Sequence, residues 1–389
     1  MSDEQFRADL RAWLTANLPP EPPPEDELAR REYQHAWQNR LADAGYVGIH
    51  WPVEYGGRAA GLAEQIIFSE EMARARSPEI LDAVAVNIVG SVLIAQGNAA
   101  QKTKHLPRIR RGDEVWCLGF SEPNAGSDLA SLKTKAERDG DHFVITGQKV
   151  WSSKAHFADW ILLLARTDAT APKHKGLSTF IVDMHAPGVT WRPLVQISGR
   201  KEFNELFLEE VRVPAENMIG APGRGWPIIR EALAHERGTL WAFDFKIRLQ
   251  NGARSLIDLY RRIARDGGGR GGDVATLRTR VAQAFIEAEV FAAHTMRTLP
   301  QLHGAPDAAI KAAAQKLFGS EIQQRTQEIG MELMGSYGNL ARDPHAYDGG
   351  EWYESYLYSK SVTISSGASE VLRNMIAQQG LGLPRDGAA

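Results

Sequence analysis

Apolar residues recur with a helical period toward both ends of the chain and alternate with polar ones in its middle. Near the start, Phe6, Leu10, Trp13, Leu14 and Leu18 fall at the three-and-four spacing that places them on one face of a helix. Ser2 and Gln5 form a capping-box pattern ahead of them. The proline-rich run Pro19 to Pro24 ends that helix, because proline lacks the N–H and clashes with the preceding turn. A second helical stretch carries Leu28, Tyr33, Trp37 and Leu41 and stops at Gly45. Periodicity predicts further helices over 62–76 and 80–97, with WPVEYGG, Trp51 to Gly57, as a loop between the second helical stretch and these.

From Trp116 the texture changes. Arg138-Asp139-Gly140-Asp141 signals a turn, and His142 to Gly147 then alternates as a strand does. Runs at 160–165, 178–184, 189–194 and 205–213 predict further strands, enough for an antiparallel barrel or sandwich. After Gly225 helical periodicity returns, with candidate helices over 226–264, 274–303, 306–337 and 366–380. The glycine run at 267–272 lacks the preceding strand and the GKS/GKT ending of a phosphate loop and reads as a linker. The expected α+β organisation is a helical part over 1–115, a β part over 116–220 and helices long enough for a bundle over 221–389.

Composition narrows the partners. Lys plus Arg total 45 against 48 Asp plus Glu, which leaves no basic footprint for nucleic acid. A single cysteine, Cys117, excludes a disulfide framework or a CxxC pair. The acidic, polar start Met1 to Phe6 is unlike a signal peptide, and no apolar run reaches the ~18–20 residues that span a bilayer. A soluble protein of a reducing compartment, without membrane insertion, is expected.

Three segments then stand in order. Gly119-Phe120-Ser121-Glu122-Pro123-Asn124-Ala125-Gly126-Ser127-Asp128 is similar to TEPGAGSD, and Gly147-Gln148-Lys149-Val150-Trp151-Ser152-Ser153 to GxKxWIT. Val211 to Gly220 resembles a VRVPxxNxLG edge strand. Together they resemble the acyl-CoA dehydrogenase superfamily, over nearly the whole chain. The resemblance implies a helical N-terminal domain, a central antiparallel β domain, a C-terminal four-helix bundle and FAD as cofactor. A flat isoalloxazine ring needs a wall, donors at its edge and exclusion of water; Trp151 supplies an aromatic plane, Ser121 and Ser153 hydroxyls. By the resemblance, Leu118, Phe120, Ser121, Trp151 and Ser153 match flavin contacts, with Ser153 where Thr is usual. Ser127 matches a contact to the phosphopantetheine of acyl-CoA or a nearby phosphate.

Oxidation of an acyl-CoA at its α,β-carbons needs a carboxylate beside a weakly acidic α-proton and donors for the developing enolate oxygen. Many superfamily members carry that Glu in a C-terminal YEGT-type segment. The matching stretch here is Ile364-Ser365-Ser366-Gly367-Ala368-Ser369-Glu370, so Ser366 stands in its place and offers only a backbone N–H. The isovaleryl- and long-chain-type branches instead take the Glu from a helix, in an LxxERxxL setting with a small C-terminal residue. Leu233-Ala234-His235-Glu236-Arg237-Gly238-Thr239-Leu240 fits that setting, which implies Glu236 as base and Arg237 as a residue organising the substrate region. A zinc site of the HExxH kind is excluded, since its second histidine falls at Thr239. Glu370 ranks below Glu236, because it matches a position near the adenine side of the flavin.

The resemblance further implies transfer of electrons to an electron-transferring flavoprotein, and a homo-oligomer or a heterotetramer with a related subunit, as in actinobacterial relatives acting on sterol side chains. Ala-, Arg- and Gly-rich usage fits a cytoplasmic bacterial protein. The adenosine-side segments Arg-x-x-Phe-Gly and Gln-x-x-Gly-Gly of many relatives are missing; Asp273 to Thr276 and Glu332 to Ser336 stand there. Two rival readings remain at this point: a same-fold flavin oxidase or monooxygenase, and a non-catalytic partner subunit.

Overall fold

The computed structural model describes residues 2–236, 239–265, 274–299, 305, 307–341 and 343–384, and for 231–236 and 239–241 the backbone alone. The chain divides into two compact units, Met1–Glu236 and Arg237–Ala389. The first opens with α1 (Asp3–Asn17), α2 (Glu27–Asp43), α3 (Leu62–Arg74), α4 (Gly90–Gln96) and α5 (Ala99–Arg111). Then come β1 (Trp116–Gly119), β2 (Lys135–Asp139), β3 (His142–Ser153), β4 (Trp160–Arg166), β5 (Leu177–Asp183), β6 (Val189–Leu194), β7 (Phe203–Pro214) and β8 (Met218–Ile219). The unit closes with α6 (Gly225–Glu236), whose Ile228 and Ile229 join the core shared with the N-terminal helices, although the sequence pattern assigns this segment to the bundle.

The capping box expected at α1 forms by half. Ser2 Oγ accepts from Gln5 N at 3.2 Å, but the Gln5 amide turns to Asp9 Oδ1 at 2.7 Å. The helix expected from residue 80 starts later and begins with a π-helical turn, Ala85–Val89. The buried Asp82 carboxylate sets the start by accepting from Ala85 N, and it also accepts from Trp116 N at the head of β1. The WPVEYGG loop sends Trp51 inward, where its Nε1 donates to Val86 O in the π-helical turn. Helix α5, with its Asn98–Gln101 capping box, lies beyond the helices that the sequence pattern marks out.

The strands form one sheet in the order β6-β7-β3-β2-β4-β5-β8, with β1 paired to β4. It is mixed rather than wholly antiparallel: β1 runs parallel to β4 through Trp116↔Trp160 to Gly119↔Leu163, and Lys135 of β2 also pairs parallel with Arg166. The Val211–Gly220 segment is not an edge strand throughout. Val211 to Pro214 belong to β7, between β6 and β3, and only Met218 and Ile219 form the terminal strand β8. Strand β4 is buried on both faces: Leu162 and Leu164 enter the core of the N-terminal helices, while Ile161, Leu163 and Ala165 enter a second core with β3, β5 and β7. Gly147 on β3 is required by close approach, because a Cβ there would lie 2.3 Å from Thr134 Oγ1.

The second unit packs α7 (Thr239–Arg265), α8 (Val274–Thr298), α9 (Ala308–Met334) and α10 (Glu351–Val362) around Leu256, Leu259, Val281, Ile329, Leu333 and Trp352. Helix α11 (Ser369–Met375) follows a tight turn. The glycine run at 267–272 lies outside the described residues. Among the described residues no helix is long and apolar enough to cross a membrane.

One polar knot ties α1 to α3. The Glu71 side chain, 1% exposed, accepts hydrogen bonds from Arg7, Arg11 and Arg74, which hold its carboxyl down at about 2, the Arg11 bonds first. Its replacement by glutamine is expected to cost about 2 kcal/mol at pH 7, less than a fully buried pair because the guanidinium groups are partly solvated. A depressed carboxyl stabilises the fold above its ordinary value and loses that contribution on protonation. The denaturant curves of parent and Glu71→Gln should therefore converge as pH falls from 4.5 to about 2. A difference that stays constant across this window would exclude the assignment.

Candidate functional site

The end of β1 and the end of β3 are stitched together by four hydrogen bonds. Ser152 Oγ donates to Leu118 O at 2.8 Å and Val150 N to Ser121 O at 2.9 Å. Lys149 Nζ donates to Phe120 O at 3.1 Å and to Glu122 Oε1 at 3.0 Å. The ladder between β3 and β7 is interrupted between Lys149 and Ser152, so Val150 and Trp151 leave the regular pleat. Trp151 sits there at φ +64°, a left-handed conformation that a bulky side chain adopts only when its surroundings enforce it. Its indole is 60% exposed and meets the Phe203 ring edge-on, at 6.0 Å and 87°.

Beneath this surface lies an ion pair. The Lys149 side chain is fully buried and Glu122 nearly so. Glu122 also accepts from Lys133 N at 2.7 Å and Thr134 N at 2.8 Å. Burial pushes Glu122 upward, but the Lys149 charge and these donors outweigh it and leave the carboxyl below its ordinary value. Burial pushes the Lys149 ammonium down to about 8, with Glu122 opposing the shift, so the pair remains ionised at neutral pH. Sequence reasoning passed over Lys149 and Glu122, although both stand inside the two segments that it singled out.

The structure thus brings Leu118, Phe120, Ser121, Trp151 and Ser153 to one corner of the sheet. Phe120 is buried, Ser121 and Ser153 are partly exposed, and neither hydroxyl bonds to another described residue. An outward aromatic plane flanked by two uncommitted hydroxyls suits a planar heteroaromatic ring with polar edge atoms, and these residues fit the isoalloxazine of FAD. Ser127 is exposed on the turn that follows, beside Asp128, which accepts from Ser131 and from Lys173.

In the second unit, Ser366 stands in the tight turn ahead of α11 at φ +53°, followed by Gly367 at φ +108°. The buried Lys316 of α9 donates from Nζ to Gly367 O at 2.7 Å. Glu370 lines a cleft of about 330 Å³ with Arg325, Thr363, Ser369 and Arg373. Glu236 ends α6, but its side chain, like the whole of Arg237, lies outside the described residues.

Three family models match in chain order: the N-terminal domain of acyl-CoA dehydrogenases over residues 2–113, the middle domain over 117–211 and the C-terminal domain over 223–381. The chain is 38% identical over 394 residues to the protein named acyl-CoA dehydrogenase IpdE1 of Mycobacterium tuberculosis, with 98% of each covered. Among solved structures it is similar to the Tcur3481-Tcur3483 steroid ACAD, with a TM-score of 0.82 at 33% identity over 99% of this chain and 98% of that one. The ChsE4-ChsE5 complex from Mycobacterium tuberculosis superposes with a TM-score of 0.78 at 29% identity over 98% of both chains. The chain belongs to the acyl-CoA dehydrogenase family, FAD-dependent oxidoreductases that act on CH–CH groups.

Proposed function

We propose that this chain dehydrogenates an acyl-CoA thioester to the 2-enoyl-CoA, with Glu236 as the base that takes the α-proton. The observation that carries the reading is the outward Trp151 at positive φ between the uncommitted hydroxyls of Ser121 and Ser153, in a chain matched by the family along its length. The α C–H bond breaks toward the Glu236 carboxylate, a hydride leaves the β-carbon, and the two carbons keep the new double bond. FAD, when bound, supplies the acceptor for that hydride. Ser366, with no carboxylate to offer, keeps a backbone N–H for the thioester oxygen as enolate character develops. Trp151 covers the ring and keeps water from the reacting carbons.

Ser127 and Arg237 are assigned to the substrate, the first toward the phosphopantetheine arm and the second around the acyl group. An electron-transferring flavoprotein is the expected electron acceptor. Relatives whose structures are named as complexes of two different chains support an oligomer, and a heterotetramer with a related subunit is one form of it. The steroid named for one neighbour makes a sterol-derived acyl-CoA the first substrate to try.

Anaerobic mixing with a panel of acyl-CoA thioesters is expected to bleach the flavin absorbance with at least one of them. Glu236→Gln should bind FAD as the parent does and lose bleaching by about 10³-fold or more, the scale of removing a positioned base. Equal bleaching by Glu236→Gln would remove Glu236 from the mechanism. Reduced protein that consumes oxygen rapidly would favour the oxidase reading instead. In the Glu236→Gln background, Ser366→Glu is expected to restore part of the activity, as measured by the same bleaching. Without recovery, the two positions do not address the same carbon.

A further inference from the structure

Lys149 carries a charge with no access to solvent, and the reaction gives it nothing to do. Its ammonium is committed to Phe120 O and Glu122 Oε1, while Glu122 in turn fixes Lys133 N and Thr134 N. The residues on either side of this knot are those turned toward the ring: Phe120 and Ser121 follow β1, and Trp151 and Ser153 follow Lys149 on β3. The ladder to β7 is broken only at Val150 and Trp151 and resumes at Ser152, whose carbonyl also accepts from Asn204 Nδ2 at 3.1 Å. Over the break itself the turn is tied to the β1 side, by Lys149 Nζ to Phe120 O, Val150 N to Ser121 O and Ser152 Oγ to Leu118 O.

We propose that Lys149, through its buried pairing with Glu122, is a positioning residue for FAD: it locks the Phe120–Glu122 segment to the Trp151 turn and so forms the ring-binding surface before the cofactor arrives. Such a surface binds without the cost of ordering two segments. A buried ion pair contributes little to stability against an apolar replacement of similar volume, while fixing the register of the groups that surround it. The inference rests on the reading that Ser121, Trp151 and Ser153 face the flavin.

The test uses FAD-stripped protein, titrated with FAD and followed by quenching of flavin fluorescence, beside thermal unfolding of the same apoproteins. Lys149→Met is expected to raise the FAD dissociation constant about tenfold or more, the scale of one lost charge-assisted hydrogen bond. It also strands the Glu122 carboxylate and lowers the unfolding temperature. The double variant Lys149→Met/Glu122→Gln removes the stranded charge and keeps an acceptor oxygen for one of the two backbone donors. Its unfolding temperature should recover toward that of the parent while its FAD affinity stays low.

The double variant also keeps the test available if Lys149→Met alone does not fold. FAD affinity that recovers along with stability, or that never fell, would overturn the proposal. Trp151→Ala and Ser153→Ala separate the two layers of the argument. If they weaken FAD binding and Lys149→Met does not, the positioning role fails alone. If they too bind FAD like the parent, the flavin-facing reading itself fails.

Discussion

The first unit is organised by one requirement, that strand β4 be buried on both faces. Five consecutive residues, Ile161 to Ala165, are without solvent exposure, and alternate side chains feed two different cores. Each large apolar side chain removed from water in this way contributes on the order of 1.5–3 kcal/mol. A strand so constrained has no freedom of register, because a slip by one residue would exchange the contents of the two cores. Strand β1 is laid parallel along it, which places Leu118 and the Phe120–Glu122 segment at a defined height. The corner proposed for the cofactor therefore inherits its position from a strand that contributes no side chain to it.

Legibility from sequence followed how much of each element's pattern is local. The β4, β5 and β6 segments declare themselves through β-branched and aromatic runs between turn residues. Strand β2 does not, because Lys135, Glu137, Arg138 and Asp139 face outward and only Ala136 is buried. Strand β8 is too short to show any period, and β1, with 4 residues, marks the change of texture at Trp116 without showing an alternation. Helix α10 buries only Trp352 and Ser359, so EWYESYLYSKSV carries no apolar stripe to recognise. At the site, the residue types were readable in three short segments, whereas the geometry comes from contacts between residues about thirty positions apart. Such contacts leave no periodic trace.

Among the described residues seven non-glycine residues take a positive φ, and two of them stand in segments assigned to the reaction. Trp151 and Ser366 both take left-handed backbone conformations that their side chains disfavour, and each belongs to a segment assigned to the reaction. Trp151 sits at a break in the β3–β7 ladder beside the buried Lys149 knot, and Ser366 lies in a turn next to Gly367, whose carbonyl accepts from Lys316. In both units a lysine withdrawn from solvent donates to a backbone carbonyl of the strained segment or its neighbour. A point charge on a long stem reaches such a carbonyl from a distant element and satisfies it more strongly than a neutral donor.

Cys117 gives the molecule a practical property. It is the only cysteine of the chain, buried in β1 with its Sγ 3.9 Å from Met184 Sδ, and burial with Asp82 nearby pushes its thiol far above the ordinary range. A thiol kept protonated and shielded neither alkylates nor oxidises at an appreciable rate while the fold is intact. The native surface is therefore silent to maleimides and disulfide reagents. An engineered surface cysteine would carry a spectroscopic label alone, and slow reaction of the buried thiol would clock the opening of the sheet itself.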